Sequence, residues 1–162
     1  MSEKTMRGRT VRGLRLLHAI AVENPVGAGT PDVNCSLGWL ELKWIRRWPR
    51  IPRTIVRVDH FNQNQRLWLR KRWANCQGAW LLLQVGQEYL LFDGDVASWT
   101  VGKVGRQSLI DAATHYWKKG MNYEELRECL KPSHLREASY SSLTVEDVAK
   151  LRENLPVGFS LG

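Results

Sequence analysis

Glu41 and Lys43 stand two residues apart in the run Gly38-Trp39-Leu40-Glu41-Leu42-Lys43-Trp44-Ile45, which is otherwise made of large apolar residues. Strand alternation places Trp39, Glu41, Lys43 and Ile45 on one face and Leu40, Leu42 and Trp44 on the other. A carboxylate and an ammonium on such a strand are costly to bury without a partner or a metal. Upstream, Thr30 to Cys35 reads as a second strand, turned back at Ser36-Leu37-Gly38, where glycine eases the reversal. With Ser36 and Leu37 at the tip, Cys35 opposes Gly38, and the same register sets Asp32 opposite Glu41 on a common face. Two carboxylates and a lysine then converge.

Such a set suits phosphodiester hydrolysis. Two carboxylates hold a hard, oxygen-seeking cation such as Mg²⁺, or Mn²⁺ in its place, which keeps several waters and bridges to phosphate. The cation polarises a phosphoryl oxygen and acidifies a bound water, and a nearby lysine orients that water or offsets developing charge. The plainer reading is an edge-strand salt bridge between Glu41 and Lys43, with Asp32 a strand-end residue after Pro31. Two features weigh against it: Gly27-Ala28-Gly29-Thr30 permits close backbone passage beside the acid, and a glutamine-led basic helix follows.

The elements that must position these residues follow from periodicity. Val11, Leu14, Leu17 and Leu16 predict a first helix over about 5 to 17, and His18 to Asn24 alternates as a strand would. Arg46 to Asp59, rich in arginine and proline, reads as an irregular excursion. Asn62 and Gln65 form a capping-box pattern behind Phe61, so a helix is expected over 63 to 77, stopped by Gly78. Ala79 to Val85 and Glu88 to Phe92 flank Gly86-Gln87 as a hairpin. Helices are expected over 106 to 119, 122 to 130 and 144 to 154, the last with Thr144 and Asp147 as its box. The pattern is α/β or α+β: a mixed central sheet flanked by helices. It divides into a core over 1 to 94 and a helical C-terminal extension over 95 to 162.

The segments Gly29-Thr30-Pro31-Asp32-Val33-Asn34, Gly38-Trp39-Leu40-Glu41-Leu42-Lys43 and Gln65-Arg66-Leu67-Trp68-Leu69 leading to Gly78 together resemble the PD-(D/E)XK nuclease superfamily. The likeness is to its small phage and bacterial members, the VRR-NUC and Holliday-junction-resolvase-like nucleases, and covers about residues 5 to 93. The resemblance implies a restriction-endonuclease-like core. It also implies Asp32, Glu41 and the Leu42 carbonyl as metal ligands, and Lys43 as the residue assisting the nucleophilic water. Gln65 holds the place of a glutamine that lines the site in many relatives, with Gln63 as the alternative. Many relatives carry a further glutamate on the first helix, whereas residues 5 to 17 contain no acid. Glu23 is the nearby substitute ligand, and reads equally well as an exposed loop-entry glutamate.

The charge balance points to a polyanion. Lys and Arg number 24 against 16 acidic residues, a net charge of +8. Arg46, Arg47, Arg50, Arg53 and Arg57 follow the Glu41–Lys43 strand, and Arg66 and Arg70 lie on the next helix; all seven are candidate DNA-backbone contacts. Trp44, Trp73 and Trp80 fit core packing, leaving Trp48, between Arg47 and Pro49, to meet nucleic acid. His60, beside the cap, could approach phosphate. His18 has no spacing partner for a metal. Cys35, Cys76 and Cys129 suggest neither a disulfide framework nor a zinc site. No apolar run is long enough for a membrane span and the N-terminus lacks a signal-peptide pattern, so a cytoplasmic setting, bacterial or in a phage-infected cell, is expected. The expected activity is a magnesium-dependent DNA endonuclease, with branched or recombination intermediates among its candidate substrates. The last helices offer a surface for a homodimer. The competing class is a catalytically silent basic DNA-binding protein of the same fold.

Overall fold

All seven residues from Ala79 to Val85 are buried in the computed structural model, which describes residues 2–23, 29–76 and 78–131. A run that is apolar but for Gln84 is what a strand covered on both faces requires. It is β4 (Ala79–Val85) in a six-stranded sheet whose order follows the sequence: β1 (Ile20–Ala21), β2 (Val33–Cys35), β3 (Gly38–Ile45), β4, β5 (Glu88–Asp93) and β6 (His115–Trp117). Strands β3 and β4 run parallel and every other neighbouring pair antiparallel, so the sheet is mixed. Parallel strands need a crossover. Here it carries the irregular arginine segment and α2 (Gln63–Cys76).

Helices cover both faces. Leu81, Leu83, Val85, Leu90 and Phe92 pack with Leu69 of α2, with Ala97 of α3 (Gly94–Thr100) and with Leu109 of α4 (Arg106–Ala112). On the other face Leu40, Leu42, Trp80, Leu82 and Leu91 pack with Met6 of α1 (Glu3–Gly13) and Leu126 of α5 (Tyr123–Cys129). The result is an α+β fold with a mixed sheet flanked by helices, and it belongs to the unit Met1–Leu130.

The β2–β3 hairpin has the expected register, with Cys35 opposite Gly38. Gly38, at φ 143°, begins β3 where an added Cβ would collide with the backbone of Gly78 just before β4, so the parallel strands meet there through two glycines. Helix α2 and the β4–β5 hairpin lie where periodicity places them.

Other expectations are corrected. The first helix starts at Glu3, because the Ser2 side chain accepts from the Thr5 N–H and caps it. It ends at Gly13, and Arg15–Leu17 form a 3-10 turn closed by His18 in the left-handed region. The strand expected over 18 to 24 contracts to Ile20–Ala21, an edge that pairs only with Asn34 and Val33. The helix expected over 106 to 119 stops at Ala112, and the aromatic run His115-Tyr116-Trp117 becomes β6 against β5. The segment beyond residue 94 is therefore not purely helical, and β6 completes the sheet. The helix expected over 144 to 154 lies outside the described residues. Among those described, no helix is long and apolar enough to cross a membrane.

Candidate active site

Strand β2 ends against β3 at the pair Val33 and Leu40, leaving the following stretch of β3 without a ladder partner on that side. Asp32 lies one residue beyond, its carbonyl held by the Val22 N–H at 2.8 Å. Its Oδ2 accepts the Leu42 N–H at 2.9 Å. Continued two steps past Val33 and Leu40, the register puts Pro31 across from Leu42, and proline has no N–H to offer the Leu42 carbonyl. A carboxylate thus takes a backbone donor that an ordinary strand partner would have taken. The loop entering Asp32 passes hard against α2: at Gly29, φ 88°, an added Cβ would sit 2.7 Å from the Asn64 carbonyl carbon.

Glu41 and Lys43 are 0% and 2% exposed. The Lys43 ammonium lies 2.7 Å from Glu41 Oε1. Gln65 Nε2 donates to the same oxygen at 2.7 Å. Capping sets the orientation of that amide: Gln65 Oε1 accepts the Asn62 N–H at 3.1 Å, while Asn62 Oδ1 accepts the Gln65 N–H at 3.0 Å. The capping box that starts α2 therefore aims the Gln65 NH₂ at Glu41. Gln63 is exposed and does not share this contact. Glu41 Oε2 is buried and has no hydrogen-bond partner among the described residues.

The helix start at Ser2 brings an acid that the sequence reading missed. Glu3 Oε1 lies 3.3 Å from the Lys43 ammonium. The available signal was a serine followed at once by an acid, the residue types favoured at a helix N-terminus. Glu3, Lys4, Arg7 and Asp32 line an opening of about 130 Å³ beside the buried pair. Glu23 is not drawn into the cluster: its side chain is 78% exposed and paired with Arg7 at 2.7 Å.

Burial pushes the Glu41 carboxyl up to about 8; the Lys43 charge opposes this and the Asp32 and Glu3 charges add to it. Burial acts against the Lys43 ammonium too, but Glu41, with Glu3 and Asp32 behind it, outweighs that and holds Lys43 above its ordinary value. Two acids crowd a buried third, with the Lys43 ammonium among them and Lys4 and Arg7 at the opening. Among the described residues, no three His, Cys, Asp or Glu side chains lie together closely enough to hold a metal ion. A divalent cation here would rest on Glu41 and Asp32, with main-chain, water or phosphate oxygens completing its shell, which matches the way Mg²⁺ is commonly held.

Arg46, Arg47, Arg50, Arg53 and Arg57 are all exposed. The first two, Arg50 and Arg57 line a groove of about 680 Å³ together with Trp48 and Asp59, and Arg53 is not part of its wall. Trp48 is anchored within the fold: its Nε1 donates to Glu88 at 2.9 Å and the Arg106 guanidinium sits 4.9 Å over its ring. Glu88 also accepts from Tyr116 and Arg106, tying the arginine loop to β5, β6 and α4. Arg66 is committed within the fold, donating to the Ser98 carbonyl at 3.2 Å and lying 4.1 Å over Phe61. Arg70 lies over the exposed Trp99 ring. His60 is exposed, with φ 61°. No family model, curated protein or solved structure matches the chain.

Proposed function

We propose that this cluster is the active site of a magnesium-dependent DNA endonuclease built on a PD-(D/E)XK-type core. The observation that carries the reading is Glu41: a carboxylate 0% exposed, with one oxygen shared by Lys43 and Gln65 and the other without a partner among the described residues. Leaving such an oxygen unsatisfied in the interior costs several kcal/mol (order of magnitude) unless a cation or proton meets it. Asp32, at the open edge of β3, supplies the second carboxylate, and the Leu42 carbonyl the main-chain oxygen.

Mg²⁺ or Mn²⁺, when bound, polarises the scissile phosphate and acidifies a water. The chain's own residues do the rest. Gln65, clamped by the capping box, fixes the Glu41 carboxylate in one rotamer. Lys43 is the donor that orients the attacking water. Glu3 holds the Lys43 ammonium from the side of the opening, restricting where that charge points. Arg46, Arg47, Arg50 and Arg57 hold the DNA backbone in their groove through phosphate contacts that carry no sequence information.

The competing reading, a silent DNA-binding protein, draws on the missing third acidic ligand and on the internal Glu41–Lys43 pair. One assay separates them: incubation of labelled duplex, flap and four-way-junction DNA with the protein, with Mg²⁺ or with EDTA. The nuclease reading expects Mg²⁺-dependent cleavage of at least one shape. Binding without cleavage of any shape would establish the silent protein instead.

A further inference from the structure

We propose that Trp99, flanked by Arg70 and Lys103, is a stacking platform for an unpaired base of a DNA strand; this rests on the nuclease reading and assigns it a second, single-stranded contact. Trp99 is 56% exposed, although indoles are on average well buried. The Arg70 guanidinium lies 5.0 Å and the Lys103 ammonium 5.3 Å from its ring centroid. Both cations sit over the ring, so an incoming base takes the place of one of them on the indole and its phosphate keeps that cation as a partner.

The surroundings favour a nucleotide over a protein partner. Gln63, Arg66, Leu67 and Arg70 recur at helical spacing along one face of α2 and, with Ser98, Trp99 and Lys103, line a shallow hollow of about 50 Å³. No acid lines it. Helix α2 lies between this platform and the candidate active site: Gln65, which reaches Glu41, stands roughly 150° around the helix from the residues that line the hollow. A strand displaced from a branch point near Glu41 would pass round α2 to reach the platform.

The test uses the full chain in an Asp32→Asn background with EDTA, so that nothing is cut, and compares binding of labelled oligothymidylate with an abasic oligonucleotide of equal length and charge. The parent is expected to prefer oligothymidylate by roughly 5- to 150-fold, the range of one stacked base. Trp99→Ala should abolish that preference and Trp99→Phe should keep most of it, while Arg70→Ala weakens both oligonucleotides together. Equal binding of the two by the parent, or a preference that survives Trp99→Ala, would overturn the proposal. So would displacement of oligothymidylate by an acidic peptide in a Trp99-dependent way, which would make this a protein-docking patch. Failure of both oligonucleotides to bind overturns it as well. Mg²⁺-dependent cleavage of duplex by the wild type then shows whether the nuclease reading stands without it.

Discussion

Glu41 concentrates the energetic cost of the site in one side chain. Its carboxyl is held by burial at about 8, above its ordinary 4.5, so between these two pH values the folded protein binds a proton more tightly than the unfolded chain does. Stability of the metal-free protein is therefore greatest below the unfolded value and declines as pH rises toward 8. Each unit of pKa separation corresponds to about 1.4 kcal/mol, so the total is on the order of a few kcal/mol, with the opposing Lys43 charge already included. Thermal unfolding in EDTA is expected to show a melting temperature that falls from pH 5 to pH 8 in the wild type and falls less in Glu41→Gln. Mg²⁺ at pH 8 should restore the wild type and leave Glu41→Gln unmoved, because only the ionised carboxylate gains a partner. Identical pH slopes in the two proteins would mean that Glu41 is not the strained group.

At the scale of elements, the arginine loop and the start of α2 perform separate tasks. The loop is fixed at Trp48 by Glu88, which turns Arg46, Arg47, Arg50 and Arg57 into the wall of one groove while Arg53 stays outside it. Replacing Arg47 and Arg50 together with alanine should weaken DNA binding equally across sequences. It should also reduce the slope of log affinity against log salt by about 1.8, about 0.9 per lost phosphate contact on duplex DNA. Arg53→Ala should change the slope less than either of the others alone. A salt series on the Asp32→Asn background measures this, and an unchanged slope in the double variant would remove the groove from the DNA path.

For the molecule as a whole, legibility in the sequence followed how local each signal was. The β2–β3 register rests on a two-residue turn and a period of two, and the α2 cap on residues three apart, so both could be read directly. Convergence of Asp32, Glu41 and Lys43 followed from the register, whereas Gln65 was implied by the family resemblance alone, with Gln63 as the alternative that the contact to Glu41 now sets aside. Glu3 was hidden because its place depends on which residue caps α1, and periodicity does not fix a helix start to within a turn. Strand β6 was hidden because Leu109, Ala112, Tyr116 and Trp117 suit a helical stripe, and only the edge of β5 makes the last of them a strand. The anchoring of Trp48 by Glu88 was hidden because the two lie forty residues apart. The same long-range dependence predicts that a fragment of residues 1–94 does not fold. It would lack Val101, Leu109 and Trp117, all buried against the sheet, together with the strand that covers β5. Its far-ultraviolet circular dichroism should show no cooperative thermal transition; a sharp one would mean that the sheet is complete without β6.

Cleavage of labelled DNA at saturating Mg²⁺, compared among wild type, Asp32→Asn and Glu41→Gln purified side by side, tests the central claim most directly. Both substitutions keep side-chain shape and remove a charge, so the fold and DNA affinity should be largely preserved while metal-dependent cleavage falls at least about a hundredfold, the scale set by losing one transition-state-stabilising group. Wild-type cleavage by either variant would contradict the assignment of Asp32 and Glu41 as the metal-holding pair.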